Sequence, residues 1–414
     1  MQALPGFRDF LPQDCGRRNY VFSTWREVGR RYGFVEWDGP VLEPTELYKK
    51  KSGPEILAQL FNFTDKGGRE VTLRPELTPT LARVVAAHDR KFKKPLKWLS
   101  IPQCFRYEKQ QRGRLREHFQ LNCDIIGEAS VAADIELISL AIDLLRGFGF
   151  SAQDVVVRIS DRDFWTDYLQ AENVPADRWP EILQVIDKSE REPLEKTAEK
   201  LGELAGRVFH ILEEGGENQK LADVMTGLRV RGLADYAAID VRVVRGLAYY
   251  TGLVFEVFDR AGKFRAIAGG GRYDQLIAHL SDGAAASPAA GFAMGDVVLG
   301  ELINEVPAAR QQMERALGSH GQTDVYVVIA KEERRREAMH HVQLLRDSGY
   351  RVDFPLAGAK VGKQFQAAEQ VGARFAALFG DEWPQVALKD LSTGAQQLIP
   401  HEQLLERLSP VRSS

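Results

Sequence analysis

Apolar positions recur at helical spacing through CGRRNYVFSTWREVGRRYG (Cys15 to Gly33), and the following FVEWDGPVLEP alternates like a strand and ends at proline. LFNFTD and EVTLRPELT predict a hairpin joined through Lys66, Gly67, Gly68 and Arg69. A helix over PTLARVVAAHDR leads into two strand-like segments, WLSIPQCFRYE and HFQLNCDIIGE, separated by a basic polar loop. The helix ADIELISLAIDLLRGFG follows. From about 165 to 230 the chain is rich in Glu, Lys and Leu and reads as helix without strand, which predicts an inserted helical module. Strands resume with VVRGLAYYTGLVFEVF and FRAIAGGGRYDQL, and a helix follows AAGFAMGD. The charged stretch 305–322 reads as a linker. Beyond it DVYVVIA, YRVDFPL, ARFAALFG and QVALKDLS, with helices between and after them, give a small βαβαββα domain.

Length and charge narrow the partners. The 414 residues suffice for two or three domains, and a net charge of −3 supplies no global field toward nucleic acid, so a polyanion has to be met locally. Cys15, Cys104 and Cys123 are sparse and have no metal-ligand spacing, which predicts a reducing compartment and no metal site. No apolar run approaches the ~18–20 residues of a membrane span. The beginning MQALPGFRDFLP places proline and charge where a signal peptide needs an apolar core, so a cytoplasmic location and no membrane partner are expected.

Four segments carry candidate chemistry. FRYEKQQRGRLREHFQ places Arg106, Lys109, Arg112, Arg114 and Arg116 against only Glu108 and Glu117. It fits a solvated hairpin tip, or guanidinium groups aimed at phosphate from a rigid strand end. Glu76 follows Pro75 and is either a solvent-facing acid beside a capping Thr78 or an acceptor for a substrate ammonium. The glycines of AIAGGGRYDQL allow close backbone approach or a tight turn, and neither they nor AAGFAMGD match a phosphate-loop or dinucleotide fingerprint. In VVRGLAYYTGLVFEVF, period-two alternation sends Tyr249 and Tyr250 to opposite faces, with Gly246 and Ala248 relieving bulk on the face of Tyr250.

The ordered set TLRPELT, FRYE with its GRLREHFQ return, RGLAYYTG, GGGRYDQL and GFAMGD resembles the class II histidyl-tRNA synthetases, from PGFRDFLP nearly to the end of the chain. The resemblance implies an α+β fold: an antiparallel sheet flanked by helices over residues 1–320, with the helical insertion at about 165–230, and an α/β anticodon-binding domain over 323–414. It implies activation of L-histidine with ATP and Mg²⁺, transfer to tRNA(His), and a homodimer built around FVEWDGPVLEP. Arg106 and Arg245 would flank the ATP α-phosphate as the catalytic pair, with Glu108 and Arg114 also on the nucleotide. Glu76, Thr78 and Gln120 would hold the α-amino group, and Asp124, Tyr250 and Tyr273 the imidazole.

Three positions depart from the family pattern: Asp124 where glutamate is usual, Ala248 where aspartate is common, and Val298 where the closing motif carries an arginine that binds ATP. Val298 keeps an alternative open. A catalytically inactive, histidine-binding paralogue could serve as regulatory subunit of an ATP phosphoribosyltransferase.

Overall fold

The alternating segments come together in one nine-stranded sheet, in a computed structural model that describes residues 2–50, 57–108, 113–190, 192–245, 249–319 and 323–408. Its order is Val35–Glu36, Leu96–Ser100, Glu117–Ile126, Ala289–Gly295, Ala268–Arg272, Leu253–Asp259, Val155–Asp161 and Ala237–Ile239, while Gln103–Phe105 pairs separately on Glu117–Ile126. All pairings from Leu96–Ser100 to Val155–Asp161 are antiparallel, and only the short outermost strands join in parallel. Helix Val131–Gly147 packs across the strands Glu117–Ile126 and Ala289–Gly295. It buries Leu137, Ile138, Leu140, Ile142, Leu144 and Leu145. Each such side chain stabilises the fold by about 1.5–3 kcal/mol.

The hairpin forms as the pattern predicts, Phe61–Thr64 pairing antiparallel with Glu70–Leu73. FVEWDGPVLEP does not form one strand: Val35–Glu36 joins the large sheet, and Leu42–Pro44 joins the hairpin to make a three-stranded sheet. Asp38, Gly39 and Pro40 break the run between them. VVRGLAYYTGLVFEVF becomes strand only at Leu253–Asp259; Arg245 takes a left-handed φ of 57°, and Gly246 and Ala248 lie outside the described residues. The stretch read as linker contains helix Pro307–Ser319, because Ala309 and Met313 at i, i+4 spacing are buried and Gln312 donates to the carbonyl of Gly147 at 2.7 Å.

Residues 165–230 contain helices and no strand among those described. Trp165, Leu169, Ile182, Ile186 and Val208 form a separate core there, which also takes in Val241 and Val244.

By contact, the chain divides into Met1–Glu314 and Arg315–Ser414. The second unit has a five-stranded sheet in the order Val352–Asp353, Val325–Ile329, Phe375–Phe379, Gln385–Asp390 and Gln396–Pro400. The first three strands run parallel and the last two antiparallel. The strand Gln396–Pro400, absent from the sequence expectation, is exposed at every position but Ile399 and so lacks an apolar stripe. Among the described residues no helix is long and apolar enough to cross a membrane.

Candidate active site

Alternation along strand Glu117–Ile126 puts His118, Gln120, Asn122 and Asp124 on one face. All four line cavities. His118 Nε2 lies 3.2 Å from Gln120 Oε1, and Gln120 Nε2 donates to Asn122 Oδ1 at 2.9 Å, so the row is a linked polar floor. One cavity, of about 70 Å³, reaches Glu76, Thr78, Asp124, Tyr249, Tyr250 and Tyr273. The other, of about 730 Å³, reaches Glu108, Arg114, Glu190, Glu256 and Val298. Arg106, Gln120, Arg245, Gly269 and Ala293 line both. Two guanidinium groups therefore stand where a small polar ligand and a large anionic one would meet.

The TLRPELT segment is docked on strand Gln103–Phe105 by main-chain and arginine contacts. Phe105 N–H donates to the Arg74 carbonyl at 2.9 Å, Arg74 Nε to the Gln103 carbonyl at 3.0 Å, and Arg106 Nε to the Pro75 carbonyl at 3.0 Å. Glu76 is thereby held beside Arg106 at the small cavity, 5% exposed. One carboxylate oxygen accepts weakly from Tyr249 Oη at 3.4 Å, and the other is buried without a hydrogen-bond partner. Burial pushes this carboxyl above its ordinary range, opposed by Arg106, the Tyr249 bond and Arg245. An unsatisfied buried acid at a cavity wall is suited to receive an ammonium. Thr78 opens helix Thr78–His88, whose cap residue is Leu77, and it lines the same cavity.

At the other end Tyr273 Oη donates to Asp124 Oδ1 in a short buried hydrogen bond. Burial pushes the Asp124 carboxyl up to about 7, with the tyrosine bond pulling the other way. Gly291 is the cross-strand partner of Asp124, and a Cβ there would fall 2.0 Å from Asp124 Oδ1. The glycine makes room for the carboxyl to lie over the neighbouring strand. Tyr250 lines this cavity, and so does Tyr249, contrary to the opposite-face expectation. The chain is not a strand at these residues, and their rings sit 4.9 Å apart, with Tyr249 6.1 Å from Tyr273. Tyr249 and Asn122 are thus cavity residues absent from the sequence-derived set, as is His118. The alternation of HFQLNCD carried the signal for His118 and Asn122; nothing local marked Tyr249.

In the larger cavity Arg245 Nη1 meets Glu256 Oε1 at 3.1 Å, and its guanidinium lies 5.3 Å over the Tyr250 ring. Gly269 pairs across strands with Glu256, and a Cβ on it would come within 1.5 Å of Arg245 Nη1. Close approach, rather than a turn, accounts for this glycine of the GGG run, which lies within strand Ala268–Arg272. Arg114 pairs with Glu108 at 3.0 Å, both on the cavity wall. Arg116 turns away to stack 4.2 Å from the Tyr107 ring, and Lys109 and Arg112 lie outside the described residues. His118, desolvated and facing Arg106, is pushed down to about 4 and so is neutral near pH 7.

Helix Asp296–Glu305 brings Val297 and Val298 to this wall, and Val298 Cγ2 is 3.3 Å from where a Cβ on Gly113 would stand. The helix start is pinned to the polar strand through Arg8. Arg8 Nε meets Glu117 Oε1 at 2.6 Å and its Nη1 meets Asp296 Oδ2 at 2.9 Å, while Phe119 N–H donates to Asp296 Oδ1 at 2.9 Å.

Comparison with known proteins gives this geometry a family. A family model described as histidyl-tRNA synthetase matches residues 6–296, and one described as an anticodon binding domain matches 324–410. The histidine–tRNA ligase of Opitutus terrae is 44% identical over 431 residues, with 97% of each chain covered. The chloroplastic/mitochondrial histidine–tRNA ligase of Arabidopsis thaliana is 40% identical, covering 94% of this chain and 83% of its own. A histidyl-tRNA synthetase structure from Nostoc sp. PCC 7120 superposes with a TM-score of 0.78 at 23% identity, covering 99% of both chains. The antiparallel sheet, the paired cavities and the near full-length similarity lead to one assignment: the chain belongs to the histidyl-tRNA synthetase family.

Proposed function

We infer that the chain activates L-histidine with ATP to histidyl-adenylate and transfers the histidyl group to tRNA(His). The observation that carries this reading is the sharing of Arg106 and Arg245 between the two cavities. Histidine fits the small cavity, its ammonium at Glu76, Thr78 and Gln120 and its imidazole among Asp124, Tyr250 and Tyr273. ATP fits the large one, with Glu108 and Arg114 on its wall. The histidine carboxylate is then directed at the α-phosphorus between the two guanidinium groups. Its oxygen forms a bond to phosphorus as the bond to the pyrophosphate oxygen breaks, and the arginines meet the charge on the non-bridging oxygens. Attack by the terminal ribose hydroxyl of the tRNA on the adenylate carbonyl then expels AMP.

Glu108 and Glu256 supply carboxylates on the nucleotide cavity wall, in keeping with a Mg²⁺ ion that keeps few protein ligands and offsets phosphate charge. We place the catalytic domain at 1–320, with its insertion at about 165–230, and the anticodon-binding domain at 323–414. A cytoplasmic homodimer accompanies this reading. Val35, Val41 and Leu42, 65%, 43% and 41% exposed along FVEWDGPVLEP, offer apolar surface for the second copy.

The deciding experiment is histidine-dependent exchange between pyrophosphate and ATP, followed by charging of tRNA(His). Histidine binding without exchange would place the chain with the regulatory subunits.

A further inference from the structure

Arg245 is held in two directions by two different parts of the protein. Its side chain belongs to the sheet, paired with Glu256 and lying over Tyr250. Its main chain is held by the insertion and the residue that leads into it: the N–H donates to Asp187 Oδ1 at 3.0 Å, and the carbonyl accepts from Arg162 Nη1 at 3.4 Å. Asp187 lies on helix Trp179–Lys188 and Arg162 opens helix Arg162–Ala171. The neighbouring valines divide the same way, Val244 in the insertion core and Val243 in the core that holds Tyr249, Tyr250 and Tyr273. Trp165 Nε1 adds a bond of 2.7 Å to the Val241 carbonyl.

Arg245 has a φ of 57°, a region that a side-chain-bearing residue occupies only when its surroundings impose it. The restraint on its N–H comes from Asp187. We propose that Asp187 is a positioning residue for the reaction: the helical insertion, through this carboxylate, sets the main-chain conformation from which Arg245 reaches the junction of the two cavities. The inference rests on the adenylate-forming role given to Arg245 above. It makes the insertion part of the catalytic geometry and not solely an appendage to it.

The test uses the full-length protein with substitutions at Asp187, none of which contacts histidine through the Asp124 and Tyr273 end. In pyrophosphate exchange, Asp187→Ala lowers kcat about 10–100-fold, the scale of a small misplacement of a catalytic group, and leaves the KM for histidine within about threefold. Asp187→Asn, whose amide oxygen still accepts the Arg245 N–H, restores kcat to within about threefold of the unsubstituted protein. Amide hydrogen exchange over residues 241–250 quickens in Asp187→Ala and not in Asp187→Asn. Unchanged kcat in Asp187→Ala overturns the proposal, as does equal impairment in the alanine and asparagine variants. If Asp187→Ala fails to fold, Asp187→Glu carries the test: its longer arm lowers kcat, and an unsubstituted-like kcat overturns the idea. Absence of exchange activity in the unsubstituted protein counts against the function proposed above, while hydrogen exchange over 241–250 still decides whether Asp187 holds Arg245.

Discussion

Replacing Gly269 with alanine isolates the placement of Arg245 from its presence. The new methyl would stand 1.5 Å from Arg245 Nη1, where ordinary contact begins at 3.4 Å, so the guanidinium has to retreat by about 2 Å. It is the far end of a flexible side chain, and alanine is no worse than glycine inside a strand, so the fold should tolerate the change. The melting temperature is expected to move by no more than ~2–4 °C. Retreat breaks the 3.1 Å bond to Glu256 and withdraws one preorganised donor from the junction of the cavities. Loss of one such donor costs about 2.7–4 kcal/mol of transition-state stabilisation, or roughly 10²–10³ in kcat. Steady-state pyrophosphate exchange should show that fall, with Arg245→Ala no more than slightly worse and the double variant no worse than Arg245→Ala. A folded Gly269→Ala variant with unsubstituted kcat would falsify the placement of Arg245 across this strand.

The buried acid in the small cavity gives a pH-dependent expectation. In the folded, unliganded protein the Asp124 carboxyl sits at about 7 because it is desolvated, against ~3.9 in an unfolded chain. The raised value favours the neutral form, so its contribution to stability is full below ~3.9 and is lost as pH rises through about 7. Asp124→Asn mimics the neutral acid; its melting temperature minus that of the unsubstituted protein should therefore grow from pH 4 to 7 and then level, and a flat difference would refute the assignment. Tyr250→Phe and Asp124→Asn should each weaken histidine binding by about 1–3 kcal/mol in titration calorimetry while ATP affinity holds; unchanged histidine affinity in both would mean the imidazole lies elsewhere. Removing residues 323–414 should impair tRNA charging far more than pyrophosphate exchange, and equal loss in a folded truncation would count against the domain roles. Val298→Arg should give no increase in exchange, since Arg106 and Arg245 already line the junction where charge develops on the α-phosphate; a tenfold gain would show that the missing cation limits the enzyme.

Much of this architecture was legible because it rests on period. The helical character of 165–230 follows from apolar spacing that its own core enforces, and the hairpin from the Gly67-Gly68 turn between two short strands; the strand bearing Gln120 and Asp124 alternates polar and apolar residues, and its polar face is buried because it lines the cavities. Strand Val155–Asp161 was missed although VVVRISD has the β-branched run of a central strand, since it directly precedes the helical insertion and pairs with residues almost a hundred positions later. The segment 243–252 was misread for a different reason. Its apolar residues serve two cores, so their spacing matches neither a strand nor a helix, and Tyr249 reaches the cavity by a path that only tertiary packing defines. Glu76 could be read from sequence as either solvent-facing or functional, and what separated the two was depth: an acid 5% exposed with an unsatisfied oxygen is not a surface residue.

The Arg8 bridge has a consequence for how the protein is made. Its two carboxylate partners lie 109 and 288 residues further along the chain. Synthesis proceeds at ~5–20 residues per second, so the guanidinium waits roughly 10–40 s between the emergence of Glu117 and that of Asp296. Until the second partner arrives, the strand and the helix that wall the larger cavity are not tied to each other. A nascent chain can therefore fold its insertion before the larger cavity is closed, and any ligand of that cavity can stabilise only molecules whose synthesis has passed Asp296.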